Sequence, residues 1–206
     1  MKHPIVVAIT GASGVLYGRR LLQVLLDGGE TVHLTISESG QQVLAHETGT
    51  RVDLDHFELD QLLPQQAVEP GQLVYHHVRD FMAPIASGSH RTRAMVVCPC
   101  SGSTLSGIAT ASSGNLIQRA ADVHLKESRP LILVPRETPL SLIQLQNMET
   151  VCRAGATILP ASPGFYHGYQ QVSDLVDFVV ARILDILQVE HELMRRWGDE
   201  GRGQDQ

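Results

Sequence analysis

The sequence predicts an α/β fold in which a doubly wound, mostly parallel sheet carries helices on both faces, Rossmann-like or flavodoxin-like, in a single domain. Three observations carry this reading. Apolar runs of strand length alternate with amphipathic stretches of helix length. The first such run, Ile5-Val6-Val7-Ala8-Ile9, breaks into a Gly/Ser turn just ahead of an apolar helix. The 206 residues are enough for one substantial core.

Taken in order, strands are expected at 5–10, 31–36, 94–98, 131–134 and 157–159, apolar runs of strand length that alternate with helical stretches as in a parallel sheet covered on both faces. Helices are expected at 14–27, 38–47, 115–126, 140–154 and 173–187. The segment 49–89 departs from the pattern. Pro64, Pro70 and Pro84 interrupt mixed charges and short apolar runs, leaving an irregular stretch with a short strand near 73–77. The domain is expected to span 1–197, followed by a polar, glycine-bearing tail at 198–206 that frays.

Composition excludes several classes of function. The net charge is −6, basic runs are absent and aromatic residues make up 4%, so no charged surface for nucleic acid is expected. Met1-Lys2-His3-Pro4 leads straight into a strand without the features of a leader, and no run approaches the ~20 apolar residues of a membrane span. The three cysteines lack Cys-x-x-Cys spacing, which fits a reducing, cytoplasmic setting and no metal site. Cys98 and Cys100 are expected to pack as small apolar residues at a strand end.

The first turn, Thr10-Gly11-Ala12-Ser13-Gly14, would present free N–H groups and a helix N-terminus where α/β sheets bind phosphate, so a phosphorylated cofactor is the first ligand it suggests. Its glycines at 11, 14 and 18 match neither the dinucleotide fingerprint nor a P-loop, and no Gly-Lys-Ser/Thr follows. A plain strand-to-helix turn is the alternative. Polar residues follow other strands at the same edge: Ser37, then Ser101-Gly102-Ser103-Thr104, where the serines either cradle an anion or cap a helix. Next comes Pro135-Arg136-Glu137-Thr138-Pro139, either a site or a solvated turn. The loop 160–167 is stiff and aromatic, able to wall an apolar ligand beside the Tyr166 phenol.

Arg119 and Lys126 lie two helical turns apart on one face, fit either to converge on a phosphate or to join Asp122 in an ion-pair ladder. Arg182 sits in a helix apolar on most sides, and either snorkels to water or is buried against a phosphate. Glu47, at the end of the second helix, is a candidate proton carrier near the first turn or else a surface carboxylate.

Taken together, Thr10-Gly11-Ala12-Ser13-Gly14, Cys98-Pro99-Cys100-Ser101, the run from Asn115 to Val123, Val134-Pro135-Arg136-Glu137 and Pro163-Gly164-Phe165-Tyr166 resemble the UbiX-type flavin prenyltransferases. The resemblance covers nearly the whole chain and is weakest at 49–80. It implies a Rossmann-like, flavodoxin-related fold, a dodecamer, and metal-independent transfer of a dimethylallyl group from dimethylallyl phosphate to N5 and C6 of reduced FMN. The product, prenylated FMN, would serve a UbiD-type decarboxylase in ubiquinone biosynthesis or aromatic-acid breakdown. The resemblance assigns Gly11, Ala12, Ser13, Ser37, Ser101, Gly102, Ser103, Thr104 and Arg136 to FMN. It assigns Arg119, Lys126, Tyr166 and Arg182 to the prenyl phosphate, and proton transfer to Ser13, Glu47 and Glu137, with Lys126 also among the catalytic residues. Trp197-Gly198 would reach the site from a neighbouring subunit, and His90 receives no role. An FMN-dependent, cysteine-type oxidative decarboxylase and an FMN carrier are the competing readings. The prenyl chemistry suits these residue types, because a departing phosphate needs fixed cations and the carbocation-like prenyl group needs electron-rich faces.

Overall fold

The computed structural model describes residues 3–166 and 168–194. The chain divides into two compact units, Met1–Ala161 and Ser162–Gln206. The expected frayed tail 198–206 and the Trp197-Gly198 pair lie outside the described residues.

The first unit is built on a six-stranded, all-parallel sheet of order β3-β2-β1-β4-β5-β6. Its strands are β1 (Ile5–Ile9), β2 (Val32–Ile36), β3 (Leu73–Tyr75), β4 (Ala94–Cys100), β5 (Leu131–Pro135) and β6 (Thr157–Ile158). This is the Rossmann order. The three-residue β3 decides it, since without that edge strand the remaining order would be the flavodoxin one. The sheet runs outward from β1 in one direction and from β4 in the other, so the topological switch point lies between them.

The helices of this unit are α1 (Val15–Asp27), α2 (Glu38–Thr48), the single turn α3 (Leu59–Leu62), α4 (Gly102–Ala109), α5 (Leu116–Lys126) and α6 (Leu142–Arg153). Right-handed crossovers set α1 and α2 on one face and α4 to α6 on the other. Val6, Ala8, Met95, Val97, Leu131 and Leu133 face the second group, packing with Leu105, Ile108, Leu116, Ile117, Ala120 and Val151. The intervening Ile5, Val7 and Ile9 are as fully buried, as are Leu21, Leu22 and Leu25 of α1. Helix α1 approaches β4 so closely that a Cβ on Gly18 would collide with the Cys98 carbonyl oxygen. That contact, rather than a ligand, explains this glycine.

The structure lengthens or shortens several expected elements. Strand β4 continues through Pro99 to Cys100, with its pairing to β5 irregular between Val97 and Cys100. The hydroxyl-rich turn after it opens directly into α4, and β6 keeps only two residues. In the irregular stretch, α3 and the 3-10 turn Pro84–Ala86 are too short to leave a period in the sequence. Among the described residues no helix is long and apolar enough to cross a membrane.

The described part of the second unit centres on α7 (Val172–Leu187), opened by a reciprocal cap between Gln171 and Asp174. Val176, Val179, Val180, Ala181, Ile183 and Leu184 form its buried stripe. In the loop before it, the Tyr166 ring meets Phe178 edge-on at 5.8 Å.

Candidate active site

The carboxyl ends of β1 and β4 are tied together by one side chain. Thr10 is fully buried, its hydroxyl donating to the Pro99 carbonyl at 2.7 Å and accepting the Ser101 N–H at 2.8 Å. The turn that follows β1 is thereby fixed against the turn that follows β4, at the place where an open α/β sheet binds its ligand.

In the first turn Gly14 adopts a φ of 98°, a left-handed conformation that suits glycine, and its residue offers no side chain to cap α1. Glu47 of α2 fills that role from across the turn. The Gly14 N–H lies 3.0 Å from each carboxylate oxygen and the Val15 N–H donates to one of them at 3.1 Å. Burial alone would raise the Glu47 pKa, but a hydrogen bond from Ser13, the two N–H groups and the charge of Arg136 together hold it below the usual carboxylate value. Glu47 is therefore an anion at neutral pH. Arg136 closes the arrangement, its Nε donating to the Ser13 carbonyl at 3.2 Å.

Two further helix starts share this edge. Ser37 caps α2 by accepting the Gly40 N–H at 3.0 Å, and its hydroxyl lies 3.1 Å from that of Ser39. A Cβ on Gly11 would stand 2.5 Å from Ser39, so the backbone of the turn rests directly on this second hydroxyl. Ser101 caps α4, accepting from the Thr104 N–H at 3.3 Å and donating to the Thr104 hydroxyl at 3.0 Å, with the Ser103 hydroxyl at 3.2 Å. Glu137 follows β5 and accepts from Gln144 Nε2 at 3.3 Å, while Gln144 itself completes the capping box of α6 with Ser141. Gly102, Ser103 and Thr104 thus open α4 beside Glu137, whose carboxylate is 4.0 Å from where a Gly102 Cβ would be.

Of the four residues expected to hold the second phosphate, Arg119 and Lys126 lie on α5 of the first unit, and Tyr166 and Arg182 lie in the second unit. Arg119, one turn into α5, donates through Nε to the Ala86 carbonyl at 3.0 Å and pairs with Asp122 at 2.9 Å. The ion pair allowed for in the sequence is thus present. Helix α5 runs against the strand direction, and Arg129 just beyond it bonds to Gly88, His90 and Thr92 ahead of β4. The exposed Lys126 therefore lies towards the amino edge of the sheet, roughly 10 Å along the helix from Arg119 and away from the β1 and β4 turns. In the second unit Tyr166 is exposed, and Arg182 is exposed and paired with Asp185 at 2.8 Å. Snorkelling, not burial, is the state of Arg182 in this chain.

Cys98 and Cys100 are buried as expected, and burial pushes both thiols up, Cys100 to about 12. Neither is a thiolate nucleophile at neutral pH. Sequence reasoning gave no role to Thr10, Ser39 or Gln144. Thr10 stood inside the first motif, and Gln144 three residues after Ser141 is a readable capping-box signal; Ser39 carried no signal beyond its closeness to Ser37.

A Rossmann-order sheet whose switch point is lined by three helix starts, their hydroxyls and an arginine defines the class of α/β proteins that bind phosphorylated ring cofactors. The model of the Flavoprotein family matches residues 1–184. Flavin prenyltransferase UbiX of Halalkalibacterium halodurans is 50% identical over 94% of this chain and 93% of its own length. The crystal structure of AnUbiX (PadA1) in complex with FMN and dimethylallyl pyrophosphate superposes with a TM-score of 0.84 at 38% identity, covering 96% of this chain and 98% of that one. A dodecameric FMN-dependent UbiX-like decarboxylase from Escherichia coli O157:H7 superposes with a TM-score of 0.82 at 40% identity, over 96% and 99% of the two chains. The chain belongs to the Flavoprotein family, and within it to the UbiX flavin prenyltransferases.

Proposed function

We propose that this protein joins the dimethylallyl group of dimethylallyl phosphate to N5 and C6 of reduced FMN, forming prenylated FMN. The observation that carries the reading is the Thr10 tie between two hydroxyl-bearing turns at the switch point of a chain 50% identical to a flavin prenyltransferase. The donor set fits the flavin. The helix starts capped by Ser37 and Ser101, with their hydroxyls, suit its phosphate. Bound here, reduced FMN supplies the electron-rich ring positions that accept the prenyl carbon.

Ser37, Ser101, Gly102, Ser103 and Thr104 hold the phosphate and polar edges of FMN, and Arg136 anchors the first turn beside it. Ser13 and Glu47 form a proton relay in which the ionised carboxylate accepts and the hydroxyl passes the proton on, as the lowered pKa of Glu47 supports. Glu137 is a second proton carrier. Arg119, Lys126, Tyr166 and Arg182 bind the prenyl phosphate and stabilise its charge as the allylic C–O bond breaks. A neighbouring copy supplies Arg119 and Lys126, because Lys126 sits towards the opposite edge of its own sheet. The working protein is therefore a homo-oligomer, dodecameric like the E. coli relative, acting in the cytoplasm without metal and handing its product to a UbiD-type decarboxylase.

The test is anaerobic incubation with reduced FMN, dimethylallyl phosphate and a chelator, followed by mass analysis of the flavin. Gain of one C5H8 unit supports the reading. Recovery of unmodified FMN from protein with flavin demonstrably bound overturns it.

A further inference from the structure

Three histidines outside the candidate active site meet at the β2 and β3 side of the sheet. His33 lies on β2, and His76 directly follows β3, its N–H donating to Leu34 O at 2.8 Å. Their rings share a hydrogen bond of 2.8 Å between His33 Nδ1 and His76 Nε2, with only 7% and 8% of the two residues exposed. His90 arrives from the loop before β4, its ring centroid 5.2 Å from that of His33, and its Nε2 is buried with no partner. Histidine is the side chain whose charge ordinarily changes between about pH 5 and 8, so the cluster brings three such groups together.

The cluster fastens one segment. Between His76 and Thr92 the chain is largely irregular, held by Leu116 N–H on the Val78 carbonyl, Arg119 on the Ala86 carbonyl, and Arg129 on the Gly88 and His90 carbonyls. The inner end of the His90 ring is the one buried polar group in this set without a partner. Neutral rings suit the arrangement, since the shared bond needs one donor and one acceptor and an unpartnered nitrogen costs least uncharged. A cation on His90 would have no acceptor at Nε2, and two cations on the bonded pair would stand 2.8 Å apart.

We propose that His33, His76 and His90 are an acid-sensitive latch: uncharged, they hold segment 76–92 against β2 and β3, and protonated they release it together with the Ala86 carbonyl that orients Arg119. Burial, reinforced by the neighbouring rings, pushes His33 down to about 4, and burial lowers His76 as well. Asp80 acts in the opposite sense on His76, and Arg129 lies against the His90 carbonyl. The ion pairs Arg93–Glu30 and His77–Asp55 flank the cluster along the chain. None of these supplies a carboxylate acceptor to the buried His90 Nε2.

The test is amide hydrogen exchange of the full-length protein between pH 7.5 and 4.5, corrected for intrinsic rates, on wild type, His90→Phe and His33→Phe/His90→Phe. Exchange in 76–92 should rise at least tenfold on acidification while β1 and β4 stay protected. The response should shrink in the single variant and vanish in the double. A segment whose exchange ignores pH, opens only together with β1 and β4, or responds equally in both variants overturns the latch. Should the double variant fail to fold, NMR titration of the wild-type rings decides: His33 and His76 must titrate below the ordinary histidine range, in step with shifts in 76–92. Titration at the ordinary value without those shifts overturns it too.

Discussion

Glu47 and Gly14 lie 33 residues apart, yet the Glu47 carboxylate straddles the Gly14 N–H with both oxygens 3.0 Å away, capping a helix to which it does not belong. The cap has a chemical consequence, because the N–H groups and partial positive charge at the mouth of α1 that orient the carboxylate also keep it ionised. Its resting state is that of a base. Glu47→Gln keeps the shape and a hydrogen-bond acceptor but cannot take a proton. A rate loss of ~10²–10⁴ is expected in single-turnover ring formation, with FMN affinity changed far less. Wild-type turnover in the variant would reduce Glu47 to a helix cap.

Thr10→Val removes the hydroxyl that joins Pro99 to Ser101, leaving the Ser101 N–H unpaired and the Pro99 carbonyl with only the Thr10 backbone N–H as donor. The unpaired N–H costs about 1–3 kcal/mol. The melting temperature should fall, and FMN should bind at least tenfold more weakly as the two turns lose register. Thr10→Ser, which retains the hydroxyl, should restore most of both in fluorescence titration of the flavin.

The proposed sharing of sites between subunits is open to complementation. Ser13→Ala and Lys126→Ala should each abolish most turnover alone. Mixed and reassembled, they should regain a substantial fraction, since some sites then combine an intact Ser13 with an intact Lys126. Absence of any recovery in verified mixed oligomers would place both residues in one chain's site. Arg182→Ala and Tyr166→Phe should weaken use of the prenyl phosphate while sparing FMN. Loss of a charged hydrogen bond to phosphate is worth ~1.5–3 kcal/mol, or roughly tenfold to a hundredfold in turnover for the arginine change.

Much of the site was legible because it uses local signals. The hydroxyl and glycine turns after β1, β2 and β4 announce helix starts at strand ends, and Ser37 and Ser101 do cap α2 and α4. What escaped depends on distance in sequence. The Thr10 tie spans 89 residues and the His33–His76 bond 43, and neither leaves a periodic trace. Strand β3 falls where a short strand is expected near 73–77, but its edge position, which fixes the Rossmann order, comes from pairing with β2 rather than from its own three residues. For Arg182 the sequence left snorkelling and burial both open, and Asp185, one turn on, gives it a partner at the surface.

Stability should fall on the acid side. His33 is pushed from 6.5 to about 4 by burial and its ring neighbours, and burial also lowers His76 and His124. For a histidine whose folded pKa is depressed, the unfolded chain takes the proton first. Its contribution is complete above about pH 6.5 and is lost as pH falls from there towards 4. His33 alone accounts for about 3 kcal/mol at the end of that window. Thermal unfolding should be flat from pH 8 to 7 and shift steadily downward below 6.5, and His33→Phe should flatten the slope.

The central claim is that the flavin leaves this protein larger than it arrived. Reduced FMN and dimethylallyl phosphate are incubated anaerobically with the wild-type protein and chelator, and the released flavin is analysed by mass spectrometry and by NMR at N5 and C6. The released flavin should be heavier by one C5H8 unit and substituted at both positions, with little of it formed by Ser13→Ala and none without the prenyl phosphate. Unmodified FMN recovered from fully loaded, folded protein would contradict it.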